Sequence, residues 1–210
     1  MKRLIISGIG TGIGKTLISS VFVQAMGADY WKPIQAGSLE ETDSHRVRSL
    51  VTDPETRIHR ECYRLRESRS PHAAALSQGV RIVTAEMVPP RTARPLIIEG
   101  AGGLLVPLND TDLMVDFFET LDAPIVLVSQ HYLGSINHTL LSAEALKLRK
   151  LPVLGIVFNG DPSAETEALI LRNTALRLLL SVKQELQWNS GTTQKYAELL
   201  HITLRKHELV

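Results

Sequence analysis

Leu4-Ile5-Ile6-Ser7-Gly8-Ile9-Gly10-Thr11-Gly12-Ile13-Gly14-Lys15-Thr16 constrains this chain more than any other stretch. A short apolar strand breaks into alternating glycines, and Gly-Lys-Thr then opens an amphipathic helix. Glycines let successive backbone N–H groups converge without interference from Cβ atoms, and the helix start adds the positive end of its dipole. Such a turn cradles a polyphosphate. Lys15 would reach the β- and γ-phosphates, and the Thr16 hydroxyl would ligate Mg²⁺. The strict motif has glycine where this chain has Ile9, so Gly8 opens a loop one residue longer. An ordinary glycine-rich turn between strand and helix is the alternative; Gly-Lys-Thr at the transition favours the nucleotide site.

At 210 residues the chain suits one well-buried α/β domain, expected to span 1–210. With 23 Lys and Arg against 22 Asp and Glu, the formal net charge of +1 makes no electrostatic case for nucleic acid or a membrane surface as partner. Cys62 is the single cysteine, which rules out an internal disulfide and fits a cytoplasmic setting. Met1-Lys2-Arg3 carries a signal-like charge, but the apolar run after it stops at Gly8, short for a signal core. No run approaches the ~20 apolar residues of a membrane span.

Along the chain, apolar positions at helical spacing follow Thr16 until Gly27. Tyr30-Trp31-Lys32-Pro33-Ile34 reads as a second strand, ending in Gln35-Ala36-Gly37-Ser38. A lysine in a buried parallel strand needs a partner. Either Lys32 snorkels at an edge, or it stands at the strand's carboxyl end beside the phosphates. Thr42 or Asp43 caps a short helix to about residue 51. Residues 52–69 are polar and rich in arginine, without a clean period, and read as a solvated surface excursion. An alanine-rich helix follows Ser70-Pro71-His72, and residues 84–94 are loosely helical.

Pro95-Leu96-Ile97-Ile98-Glu99-Gly100-Ala101-Gly102-Gly103 repeats the transition from strand to glycine. An acid ending such a strand is the expected second half of a magnesium site, or else an ordinary strand-terminal acid. Asp110-Thr111-Asp112 caps a helix over 113–121. Residues 124–129 form a central apolar strand leading through Gly134, Ser135 and Asn137 into a helix, another anion-ready start, this time without a lysine. Residues 151–159 form one more strand, whose terminal Asn159 either reads a base edge or closes an Asx-turn. Residues 165–180 are helical, 178–182 a short last strand, and 192–200 a final helix. The alternation predicts an α/β fold of the P-loop NTPase type, a mostly parallel sheet with helices on both faces.

Taken together, these motifs resemble dethiobiotin synthetase. The resemblance runs in order from Leu4 to about Asn159. It rests on the long P-loop, Lys32-Pro33-Ile34-Gln35-Ala36-Gly37, Asp43, Ser70-Pro71-His72, Glu99-Gly100-Ala101-Gly102-Gly103, Pro107-Leu108-Asn109-Asp110-Thr111 and Leu133-Gly134-Ser135-Ile136-Asn137-His138. It implies an ATP- and Mg²⁺-dependent cyclo-ligase that carboxylates 7,8-diaminononanoate with CO₂ and closes the ureido ring through a carbamic–phosphoric anhydride. By the same resemblance Lys32 and Lys15 are catalytic, and Thr16, Asp43 and Glu99 hold Mg²⁺. ATP would contact Gly12, Ile13, Gly14, Lys15, Thr16, Leu17, Asp43, Glu99, Gly100, Ala101, Gly102, Asn159 and Gly160. Substrate would meet Lys32 and Ala36, and its carboxylate Gly134, Ser135 and Asn137 of the other subunit of a homodimer.

Three departures from the family pattern stand out. Gly10 and Gly12 replace an aspartate and a glutamate common in the loop, Ala36 replaces a hydroxyl residue, and Leu180-Ser181-Val182-Lys183 replaces Gly-x-Ile-Pro. Rival readings are a partitioning-type regulatory ATPase, a cobyrinate-type amide ligase of the same fold, and a plain nucleotide-binding module. The first usually carries an extra lysine early in the loop, absent between Gly8 and Gly14; the second normally works with a glutaminase cysteine, for which Cys62 has no context. The third has no use for Lys32 and Glu99.

Overall fold

A computed structural model describes residues 2–209. Met1 of the charged N-terminal triplet and Val210, the end of the expected domain, lie outside them. In chain order, β1 (Arg3–Gly8) leads into α1 (Lys15–Met26), then β2 (Asp29–Trp31), β3 (Ile34–Ala36) and α2 (Asp43–Leu50). Next come β4 (Ile58–His59), β5 (Tyr63–Leu65), α3 (Pro71–Leu76), a 3-10 turn at Thr84–Glu86 and β6 (Leu96–Glu99). Then follow α4 (Met114–Glu119), β7 (Ile125–Gln130), α5 (Ser135–Leu148), β8 (Val153–Asn159), α6 (Ala164–Thr174), β9 (Leu178–Val182) and α7 (Ser190–Lys206).

Seven strands form one parallel sheet in the order β4-β2-β6-β1-β7-β8-β9. Because β1 lies between β6 and β7, the strand order reverses there, and the carboxyl ends of these strands open into a crevice. The two-residue period of β1 decides which side each residue serves. Leu4 and Ile6 pack with Ile18, Val21 and Phe22 of α1 and Leu200 of α7. Ile5 faces the opposite layer, with Phe117 and Phe118 of α4, Leu146 of α5 and Ile170 of α6. Each such buried side chain contributes about 1.5–3 kcal/mol. Helices therefore cover both faces, as the alternating pattern predicts.

Several boundaries differ from the sequence expectation. The single strand expected over 30–34 is two, with Lys32 and Pro33 between them. Proline has no N–H to extend the ladder, and the Pro33 carbonyl instead accepts N–H bonds from Cys62 (2.8 Å) and Tyr63 (3.0 Å). β3 thus leaves the main sheet and pairs with β5. The excursion over 52–69 contains both β4, the sheet's edge, and β5; strands of two and three residues leave no periodic trace. The expected loose helix over 84–94 is one 3-10 turn. Asp112 caps no helix: its carboxylate accepts bonds from Thr84, Asn109 and Thr111, while Asp116 accepts the N–H of Leu113 at the start of α4. α6 ends at Thr174 because Ala175 turns left-handed (φ 54°), which frees 178–182 to form β9. α7 extends well beyond the expected 192–200.

Candidate active site

The glycine turn after β1 needs its glycines. Gly12 and Gly14 have φ of 75° and 87°, a left-handed backbone that side chains rarely adopt. A Cβ on Gly14 would collide with Asn159 Nδ2. That amide nitrogen donates to the Ile13 carbonyl at 2.9 Å, so the end of β8 props the loop from below. Lys15 opens α1 and folds back over the turn, its Nζ donating to the Gly10 carbonyl at 2.6 Å. Burial, and then the neighbouring Lys32 charge, lower its pKa to about 8, with Glu99 and Asp43 offsetting only part of the effect.

β2 and β6 lie side by side with Tyr30 opposite Ile97 and Trp31 opposite Ile98. One step further puts Lys32 beside Glu99 at the crevice, on the same face as Tyr30 and Ile97. Lys32 Nζ lies 2.7 Å from Glu99 Oε1 and 2.6 Å from Asp43 Oδ2. The lysine is a buried, doubly paired cation, not a snorkelling edge residue. Burial alone would lower its pKa, but the Glu99 and Asp43 carboxylates outweigh burial and raise it. For Asp43, burial is outweighed by Lys32 and by the Thr16 hydrogen bond, so its pKa is lowered. Asp43 is not the helix cap; Thr42 is, its hydroxyl accepting the His45 N–H, which frees the Asp43 side chain to turn inward.

Thr16 Oγ1 closes the cluster at 2.7 Å from Asp43 Oδ1 and 3.0 Å from Glu99 Oε1. Three hard oxygens thus converge from α1, α2 and β6. Among the described residues no group of three or more His, Cys, Asp or Glu side chains is placed to hold a metal ion. Two carboxylates and a hydroxyl are a sparse set, of the kind that suits a small divalent cation completing its shell with waters and substrate phosphates.

Lys15, Thr16, Lys32, Asp43 and Glu99 line a cleft of about 600 Å³, together with Gly12, Gly14, Ala36, Ala101 and Gly102. Thr11, Ser68, Arg69 and Val106 also face it and escaped the sequence reading. Gly100 is buried beneath, where a Cβ would lie 2.6 Å from Phe118 Cζ. Ile13 is in the core, and Leu17 is half-buried on α1. Two further residues, Gln35 and Glu61, carry no role in the sequence reading. Gln35 ties the cleft together by accepting the Asp43 N–H (3.3 Å) and donating to Gly37 O (3.0 Å). Ser44 donates to the buried Glu61 at 2.5 Å. Glu61 belongs to the segment expected to be merely solvated.

Gly134, Ser135 and Asn137 are not brought to this cleft. They line a separate hollow of about 730 Å³ with His131, Tyr132 and Leu133. Asn159 and Gly160 lie outside the cleft too, at the ends of β8 and β9, where Gly160 N–H donates to Val182 O at 2.9 Å.

Known proteins match both levels of this description. A family model described as an AAA domain matches residues 2–191. An ATP-dependent dethiobiotin synthetase from Cytophaga hutchinsonii is 50% identical over 198 residues, covering 94% of this chain and 96% of its own. The corresponding enzyme of Christiangramia forsetii is 44% identical over 197 residues (94% and 95%). Among solved structures, the Pyrococcus furiosus cell division ATPase MinD superposes with a TM-score of 0.57 at 14% identity, covering 96% of this chain and 99% of its own. A ParA family ATPase from Chlorobium tepidum gives 0.52 at 14% identity (100% and 93%). The last two share the fold alone. A lysine-bridged carboxylate pair behind a long P-loop, on a chain half identical to named synthetases, makes this chain a member of the ATP-dependent dethiobiotin synthetase family, an ATP-dependent ligase.

Proposed function

We propose that this chain makes dethiobiotin from 7,8-diaminononanoate, CO₂ and ATP, releasing ADP and phosphate. The observation that carries the reading is Lys32 held between Asp43 and Glu99 at the mouth of the P-loop. Nucleotide binding alone has no need of it. One substrate amine takes up CO₂ and loses a proton to form a carbamate. A carbamate oxygen attacks the γ-phosphorus, the bond to the β-phosphate oxygen breaks, and ADP leaves. The second amine then attacks the carbamoyl carbon, its proton is lost, and phosphate departs as the ring closes.

Lys15 neutralises the β- and γ-phosphates, and Lys32 orients the carbamate and stabilises charge on the oxygens being transferred. Thr16, Asp43 and Glu99 fit Mg²⁺, which when bound would offset charge on the phosphate oxygens. Gly12, Ile13, Gly14 and Leu17 shape the phosphate turn, with Gly100, Ala101 and Gly102 on its far side. Ala36 contributes backbone to the substrate. Asn159 and Gly160 meet the base. One N–H of the Asn159 amide donates to the Ile13 carbonyl, and its oxygen is free to accept from an exocyclic amine of the adenine type. The distant hollow at Gly134, Ser135 and Asn137 receives the substrate carboxylate from a partner subunit in a homodimer. The chain works as one domain over 1–210, in the cytoplasm.

The test is a single incubation of protein with MgATP, bicarbonate and diaminononanoate, with dethiobiotin detected by mass. Ring product that requires all three small molecules supports the reading. ATP hydrolysis indifferent to the diamine, without ring product, overturns it. In the same system Glu99→Gln raises the Mg²⁺ requirement; an unchanged metal titration removes Glu99 from the ligand set.

A further inference from the structure

Glu99 is 1% exposed and carries more than the lysine. Its Oε1 accepts from Lys32 Nζ (2.7 Å) and Thr16 Oγ1 (3.0 Å), and its Oε2 accepts the Tyr30 hydroxyl at 2.9 Å. Tyr30 is fully buried on β2, two residues before Lys32, its ring packed in the layer under α1. The β2–β6 register, Tyr30 opposite Ile97, puts the ring on Glu99's side of the sheet, from where the hydroxyl reaches past Ile97 to the carboxylate. No other hydrogen bond holds Oε2 among the described residues. Without it the carboxylate is held through Oε1 alone, so its plane can tilt about the last torsion and shift Oε1 relative to Thr16, and one buried oxygen is left without a donor.

We propose that Tyr30 is a positioning residue for the metal site, fixing the plane of the Glu99 carboxylate so that one oxygen faces the Thr16 hydroxyl and the site of the cation. Phenylalanine supplies the same packing without the bond. The inference rests on the reading of Thr16, Asp43 and Glu99 as cation ligands. Partners of this kind are worth about 10–100-fold in metal affinity.

The experiment is calorimetric titration of ADP into the purified full chain over a series of Mg²⁺ concentrations, so that the readout is binding and not turnover. Tyr30→Phe is expected to raise the half-saturating Mg²⁺ about tenfold while leaving ADP affinity in EDTA within twofold. Ile97→Val, which loosens the same layer without touching Glu99, lowers the thermal midpoint but leaves the Mg²⁺ dependence as in the parent. A Tyr30→Phe protein with the parent's Mg²⁺ dependence overturns the proposal. So does one that loses metal-free ADP binding in equal measure, or that does not fold, since either makes the hydroxyl purely structural. Glu99→Gln in the same series separates the two levels: if it too leaves the Mg²⁺ dependence unchanged, the cation site itself is misread. If Glu99→Gln shifts it and Tyr30→Phe does not, only the role of Tyr30 falls.

Discussion

Lys32 Nζ sits 2.7 Å from Glu99 Oε1, and both groups are almost sealed from water. Removing one partner of a buried pair leaves the other uncompensated, at a cost of about 3–5 kcal/mol. Here the lower end applies, because the second carboxylate, Asp43, is one-third exposed. Lys32→Ala is therefore expected to lower the metal-free thermal midpoint by about 6–12 °C. MgADP should restore much of that loss by supplying a replacement cation. Turnover should vanish while nucleotide binding persists. Differential scanning calorimetry with and without MgADP checks the first part, and near-normal product formation would remove Lys32 from the chemistry.

Gly14→Ala combines two penalties. The backbone stays at φ 87°, and the new methyl group meets Asn159 Nδ2. Strain of about 1–3 kcal/mol is expected in the phosphate loop, with nucleotide affinity down at least tenfold. Adding Asn159→Ala relieves the collision but not the backbone, so the double variant should recover only part of the affinity. Full recovery would mean that the left-handed backbone is not required.

Leu133 is fully exposed in the isolated chain, at the lip of the Gly134–Asn137 hollow. In the proposed homodimer this lip is covered. Sedimentation should find a particle of twice 23.2 kDa for the parent and of the single chain for Leu133→Asp. The variant should raise the KM for the diamine while leaving ADP affinity unchanged. A parent that sediments as a single chain at working concentration would refute the shared carboxylate site.

Asp29 is buried at the start of β2. Burial would raise its pKa, but the Thr92 hydroxyl, the Arg57 N–H and His59 outweigh it, so the pKa falls below the ordinary 3.8. A depressed carboxylate contributes stability that is complete above its unfolded value and lost as pH falls through the folded one. Asp29→Asn should thus cost about 1–3 kcal/mol at pH 7. The gap in thermal midpoint from the parent should narrow progressively below pH 4. A gap constant from pH 7 to pH 2 would show that the charge on Asp29 does not matter.

The P-loop was legible because its signal is local. A strand, its glycines and the helix start are contiguous, so one stretch of chain reports their geometry. Glu99 was legible as a strand-terminal acid for the same reason, and Lys32 announced itself as a cation that needed a partner. The identity of that partner was not legible, because it depends on β2 lying next to β6 in a particular register. Nothing in the sequence assigned a role to Tyr30, Gln35 or Glu61. Tyr30 looks like any aromatic strand residue, Gln35 acts through backbone groups, and Glu61 sits in a stretch whose arginines suggested a solvated surface. β4 and β5 escaped because two or three residues cannot display a period.

By itself the sequence determined the alternation of strands and helices, the phosphate turn and the polar residues that end the strands. These follow from hydrophobic period and glycine stereochemistry within a few neighbouring residues. The tertiary structure decided which strand ends meet. Lateral register, with the helices packed on it, brought Lys32, Asp43, Glu99 and Thr16 within hydrogen-bonding distance from the β2–β3 link, α2, β6 and α1, set Tyr30 behind the carboxylate, and left Gly134 to Asn137 apart in a hollow of their own. Register is a property of pairs of segments distant in the chain, and no single segment encodes it.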